Sequence, residues 1–239
     1  MAANHRPRHR KPVRVKTVLL RSVGHMLIAL GAVVLLYLLY SLLVTGLTTR
    51  QAQASLRQAW ELHLTDGLFP DADGEFGDER PEPVQPGEAV AVLQFARPGS
   101  LERPVQNGPL YVVEGVSVED LKKGPGRYPD TAMPGERGNF AVAGHRTTYG
   151  NPFFHLDDLR PHDEIYVTDR QGTQWVYSVV RQEIVSPHAE RVLKPDPLGT
   201  GRPTLTLTTC HPRFSNAQRL VVFAQLQGAS ISQTPGDQV

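Results

Sequence analysis

An all-β domain closed into a barrel, preceded by one N-terminal transmembrane helix, is the architecture this sequence predicts, on three observations. Short, β-branched runs recur between residues 89 and 226, with turn signals such as Gln171-Gly172 between them. No repeated alternation of strand and helix, the mark of a parallel α/β sheet, accompanies them. Residues 26–44, MLIALGAVVLLYLLYSLLV, carry no charge and are about as long as the ~20 residues a helix needs to cross a ~30 Å hydrocarbon core. A closed antiparallel barrel is the simplest arrangement in which many short strands leave no open edge.

The N-terminal elements can be read from charge. Ahead of the apolar run stand Arg6, Arg8, Arg10, Lys11, Arg14, Lys16 and Arg21 with no acidic residue among them, an asymmetry that the net charge of +1 conceals. As a free tail this arm would suit nucleic acid, but beside a membrane span it is an orientation signal. Positive charge stays inside, so residues 1–25 form a cytoplasmic arm held against anionic lipid, residues 26–45 the span, and the remainder lies outside. A cleaved signal peptide fits less well, because the apolar run is longer than a signal core and no small-x-small site closes it.

Residues 46–88 then form an extracytoplasmic stalk and linker. Ala52, Leu56, Ala59, Trp60 and His63 fall on one weakly apolar helical face. From residue 66 onward Asp71, Asp73, Glu75, Asp78, Glu79 and Glu82 mix with Gly67, Gly74, Pro81, Pro83 and Pro86, too polar to build a core. The spacing lacks the EF-hand ligand order. The folded domain spans residues 89–228 and opens on AVAVLQF. Strands are expected at residues 110–113, 139–143, 164–168, 174–181, 204–209 and 219–226. Ser117 and Asp120 can cap a short helix ending at Lys122, and residues 152–159 form a second. Residues 229–239 make a polar tail. The 40% hydrophobic content and 20 prolines exclude a disordered chain or a long coiled coil.

The chemistry centres on the sole cysteine. In TLTLTTC, Leu205 and Leu207 share one face of a strand while Thr206, Thr208 and Cys210 share the other, which sets the thiol on a polar surface. The strand that resumes at Arg219 brings that arginine back to the same end. His211, Arg213 and Arg219 are then the cations expected near the thiol, where they would favour a thiolate. One cysteine excludes an intrachain disulfide. Scattered histidines offer no metal spacing, so neither metal nor cofactor is expected.

The stretch TLTTC followed by Arg219 resembles the signature of the sortases, the cysteine transpeptidases of Gram-positive cell surfaces. The continuation CHPRFSNAQRLVV is similar to the class E group of high-G+C bacteria, and the resemblance extends over roughly residues 89–227. It implies an eight-stranded barrel. It also implies that His145, in GHRTTYG followed by Pro152-Phe153, is the catalytic histidine, with Cys210 as nucleophile and Arg219 as the residue that binds substrate and stabilises the oxyanion. His211 is the rival to His145, but successive residues of a strand point to opposite sides. The reaction implied is cleavage of the Thr-Gly bond of a sorting signal, LAXTG rather than LPXTG, through a thioester, with transfer to a peptidoglycan precursor amine. Partners would be sorting-signal-bearing secreted proteins and membrane lipid, with no nucleic acid. The Asp-Pro-aromatic lid of pilus-building sortases is missing from residues 66–88 and the tail is polar, which favours a housekeeping enzyme. Two other readings stand beside it: an L,D-transpeptidase, whose SHGC-like motif is missing here, and an inactive membrane-tethered module in which Cys210 only packs.

Overall fold

A computed structural model describes residues 15–68 and 84–230. The first fourteen residues, residues 69–83 of the acidic linker and nearly all of the polar tail lie outside the described residues. The chain divides into two compact units, with the boundary between Leu43 and Val44. Helix α1, Val15–Leu68, contributes to both. In the first unit, Leu20–Leu38 is long and apolar enough to cross a membrane, with a mean hydropathy of 1.7. Its large side chains, Leu27, Ile28 and Leu35 among them, are exposed.

The second unit holds a closed barrel. Its strands are β1 Ala89–Ala96, β2 Leu110–Glu114, β3 Gly126–Arg127, β4 Asn139–Ala143, β5 Glu164–Asp169, β6 Gln174–Val185, β7 Thr204–His211 and β8 Gln218–Ser230, and their order around the barrel is β1-β2-β3-β4-β7-β8-β6-β5. The eight strands and the closure are as the sequence leads one to expect, but the pairing is not wholly antiparallel. β2 pairs with β3 and β4 with β7 in parallel. The chain between β4 and β7 is long enough for a crossover, which a parallel pair requires. The two-residue β3 has no alternation to read and leaves no trace in the sequence pattern.

The inward residues of β4, β7 and β8 are Phe140, Val142, Leu205, Leu207, Leu220 and Val222, which join Leu93, Phe95, Ile165 and Tyr177 in one core. The outer face of β7 is covered as well, contrary to the polar surface expected. Thr206 and Thr208 are buried, and the connection after β6 lays Val192, Leu193 and Leu198 against Val221 and Phe223 of β8. Thr206 satisfies its hydroxyl by donating to Asn139 Oδ1 at 2.7 Å, and Asn139 Nδ2 donates to the carbonyls of Val192 and Lys194. A polar strand face is thus buried without losing its hydrogen bonds.

Two smaller features complete the frame. Helix α2, Val118–Lys123, has the expected capping box between Ser117 and Asp120, whereas residues 152–159 form only a 3₁₀ turn at Leu156–Asp158. On β1 and β2, the apolar stalk face read from the sequence packs Leu56 and Trp60 against Ala89, Val92, Tyr111 and Val113. Each such side chain taken from water contributes about 1.5–3 kcal/mol.

Candidate active site

Three adjacent strands set out one row of side chains. β7 and β8 pair antiparallel with Cys210 opposite Arg219. β4 and β7 pair in parallel from Asn139 opposite Thr204 to Ala143 opposite Thr208. The ladder goes one step further, since Gly144 N donates to the Thr208 carbonyl at 3.0 Å and the Thr209 hydroxyl donates to the Gly144 carbonyl at 2.7 Å. Continued past Gly144, that register would bring His145, which lies two residues beyond the end of β4, toward the same end of the barrel as Cys210. Ala141 and Ala143 alternate with the core residues Phe140 and Val142, so they share the outer face with Thr206 and Thr208. Cys210 and Arg219 are direct cross-strand partners near the rim where β7 ends.

Gly144 is required by packing. A Cβ there would lie 2.5 Å from the ring of Phe153, which is fully buried. Beyond it the His145 carbonyl accepts from Phe153 N at 3.1 Å. The imidazole has Nδ1 paired with the Thr148 hydroxyl at 3.2 Å, and its ring lies 4.9 Å from that of Tyr149. Nε2 is buried and has no partner. Burial lowers the pKa of this ring from its ordinary value near 6.5, because a desolvated imidazolium is disfavoured. An unpaired buried nitrogen is rare enough to need a reason, and a neutral imidazole with one free nitrogen is suited to moving a proton.

His211 faces other partners. Its Nδ1 lies 3.2 Å from Arg146 Nη1; a guanidinium can only donate, so Nδ1 accepts and any ring proton of the neutral form is on Nε2. Arg146, only 2% exposed, also reaches the Cys210 carbonyl at 3.3 Å and pairs with Asp157 at 2.7 Å. Arg213 grips the same carboxylate at 2.8 and 3.1 Å and stacks 4.6 Å from the ring of Phe154. Burial would push the Asp157 carboxyl up, but the charge of Arg146 and the hydrogen bond from Arg213 outweigh it and hold the group below its ordinary value. Two of the three cations expected around the thiol are thus engaged with this cluster. The third, Arg219, donates from Nη1 to the carbonyls of Asn216 and Gln218, both at 2.9 Å. Those bonds fix one edge of its guanidinium.

Sequence reading missed Arg146 and Asp157, although the arginine adjoins His145 and its burial was the only unusual thing about it. It also missed Tyr128, whose hydroxyl lies 3.1 Å from Thr208 Oγ1, on the strand face that leads to Cys210. Among the described residues there is no cluster of His, Cys, Asp and Glu able to hold a metal ion.

A closed eight-stranded barrel with a cysteine next to last in β7 and an arginine second in β8 describes one class of protein. Residues 103–227 match the sortase domain, and the chain belongs to the sortase family, whose members are cysteine transpeptidases. Among its relatives are sortases of class E. Sortase SrtE1 of Streptomyces coelicolor is 32% identical over 237 residues, covering 94% of this chain and 61% of the relative, so the chain spans about three fifths of that protein's length. The structure of sortase E from Streptomyces avermitilis superposes with a TM-score of 0.52 at 38% identity, covering 61% of this chain and 92% of the other. The crystal structure of sortase E1 from Streptomyces coelicolor with tripeptide in the active site superposes with the same TM-score at 30% identity, covering 62% and 93%.

Proposed function

We propose that this chain is a membrane-anchored sortase of housekeeping type that cleaves the Thr-Gly bond of an LAXTG sorting signal and joins the new carboxyl end to a peptidoglycan precursor amine. The observation that carries the reading is Cys210 opposite Arg219 on β7 and β8, with His145 two residues past the end of β4, the strand beside β7. His145 Nε2 takes the proton of the Cys210 thiol, and the thiolate attacks the threonine carbonyl carbon. The tetrahedral oxyanion is met by donors of Arg219, and collapse breaks the C–N bond as the departing glycine amine takes a proton from His145 Nε2. A thioester remains. The incoming amine attacks it, gives a proton to His145 and displaces the Cys210 thiolate, which takes that proton back as the cycle closes, so one hard displacement is divided into two easier ones. The tripeptide in the active site of the Streptomyces coelicolor relative supports a peptide substrate. In this reading the apolar part of α1 crosses the membrane, with the basic arm cytoplasmic and the barrel outside.

The test is to trap the acyl-enzyme. Incubation with LAXTG and LPXTG peptides, followed by intact-mass spectrometry, is expected to show a thioester adduct, more abundant with LAXTG and missing from Cys210→Ala. An adduct on Cys210→Ala, or none on the parent protein with either peptide, sinks the proposal. Equal acylation by both peptides removes the LAXTG preference alone.

A further inference from the structure

The loop that carries His145 is braced from outside the barrel. Tyr149, Gly150 and Asn151 adopt φ of +48°, +72° and +43°. Three successive left-handed residues, two of them not glycine, make a costly local conformation that persists only when its surroundings impose it. The surroundings are visible. The Asn151 N–H closes a turn on the Thr148 carbonyl at 2.9 Å. On its outer side Gly150 lies against α1, where an added Cβ would come within 2.8 Å of Thr49 Cγ2. The Thr49 hydroxyl donates to the Lys122 carbonyl at 2.8 Å, and the Lys122 ammonium sits 5.9 Å above the ring of Tyr149.

Thr49 is itself fixed by the next turns of the helix. One turn on, Gln53 straddles β2, accepting from Tyr111 N at 2.9 Å and donating to the carbonyls of Tyr111 at 2.9 Å and Lys123 at 3.0 Å. Trp60 then packs edge to face on Tyr111, with ring centroids 6.3 Å apart. A ladder of contacts thus joins the stalk helix to Gly150, and the next residue back, Tyr149, lies against the imidazole. We infer that Tyr149 is a positioning residue for His145 and that the stalk portion of α1 holds it in place through Thr49, making that helix a working part of the catalytic domain. This rests on the role proposed above for His145. The tyrosine acts by excluding water from one face of the ring and limiting its rotation. Small displacements of a proton-transferring group are costly, since ~1 Å can lower a rate by about a hundredfold.

The experiment uses the full chain in detergent micelles and steady-state turnover of an LAXTG peptide with an amine acceptor. Tyr149→Asn removes the ring but retains a residue type that tolerates left-handed φ, and it is expected to lower kcat roughly tenfold or more with KM little changed. Tyr149→Phe should restore most of that kcat. Thr49→Ala should lower kcat several-fold, and combined with Tyr149→Asn it should add almost nothing, because coupled residues are not additive. An unaltered kcat in Tyr149→Asn, a change confined to KM, or full additivity of the double variant each overturns the inference. His145→Ala, run alongside, separates the two claims. If that variant turns over normally, the assignment of His145 fails and this inference with it; if it is inactive while Tyr149→Asn is unimpaired, only the inference fails.

Discussion

Two regions near Cys210 each bring a histidine. The loop after β4 offers His145, whose Nε2 is buried and unpartnered; the end of β7 offers His211, whose Nδ1 accepts from a buried arginine. The residue adjacent to the cysteine in sequence is the one turned toward a structural cluster, and the residue distant in sequence is the one that keeps a free ring nitrogen. Successive residues of a strand alternate faces while parallel neighbours share one, so the proposed pair does not follow nearness along the chain.

The largest expected effect breaks this comparison directly. His145→Ala should lower LAXTG turnover by about 10²–10⁴-fold, the usual contribution of positioned acid-base catalysis. His211→Ala should cost a few-fold at most, since Arg146 still holds the Cys210 carbonyl, and its stability loss should be that of one hydrogen bond, about 0.5–1.5 kcal/mol. Equal losses of turnover in two folded variants would erase the distinction between the two histidines.

Arg219→Lys sharpens it from the other side of the thiol. A planar guanidinium whose Nη1 is held by two carbonyls retains Nε and Nη2 as further donors in a fixed fork, which a lysine on a flexible stem cannot reproduce. Single-turnover acylation should fall about a hundredfold, corresponding to ~3 kcal/mol for one positioned oxyanion donor. A near-normal rate would mean that charge alone suffices.

The smallest effect is on stability against pH. The folded pKa of His145 lies below its unfolded value near 6.5, so above that value the ring is neutral in both states and costs nothing. As pH falls, the unfolded chain takes up the proton first, and stability declines until the folded pKa is passed. Melting curves at pH 7.5 and 5.5 should show a smaller drop for His145→Gln than for the parent. Identical drops would mean that the ring is solvated.

The fold was legible where a strand had a pattern to show. Leu205 and Leu207 alternating with threonines announced β7, and the return at Arg219 announced the pairing with β8. What stayed hidden was whatever long-range contact decides. The parallel pairing of β4 with β7 is invisible in either strand, and Thr206 and Thr208 are polar residues buried by a distant connection. In the candidate site, Cys210 and Arg219 could be placed from two consecutive strands, but His145 came from a resemblance in GHRTTYG rather than from geometry. Arg146 and Asp157 escaped notice because charged residues in loops are ordinarily solvated, and only the folded chain shows this arginine shut away.

The parallel match of β4 and β7 also fixes which kinds of change the molecule can absorb. Both strands run toward the same rim, so the exposed parts of the connections between residues 145 and 204, outside β5, β6 and the packed Phe153, Asp157 and Val192, can lengthen or shorten without moving either end of the pair. Inside the strands the tolerance is nil: a single residue inserted in 139–144 would turn His145 toward the barrel interior and bring a core side chain out beside the thiol. Diversity in this architecture should accumulate as insertions between the strands, while the count of residues from Asn139 to His145 and from Thr204 to Cys210 stays locked.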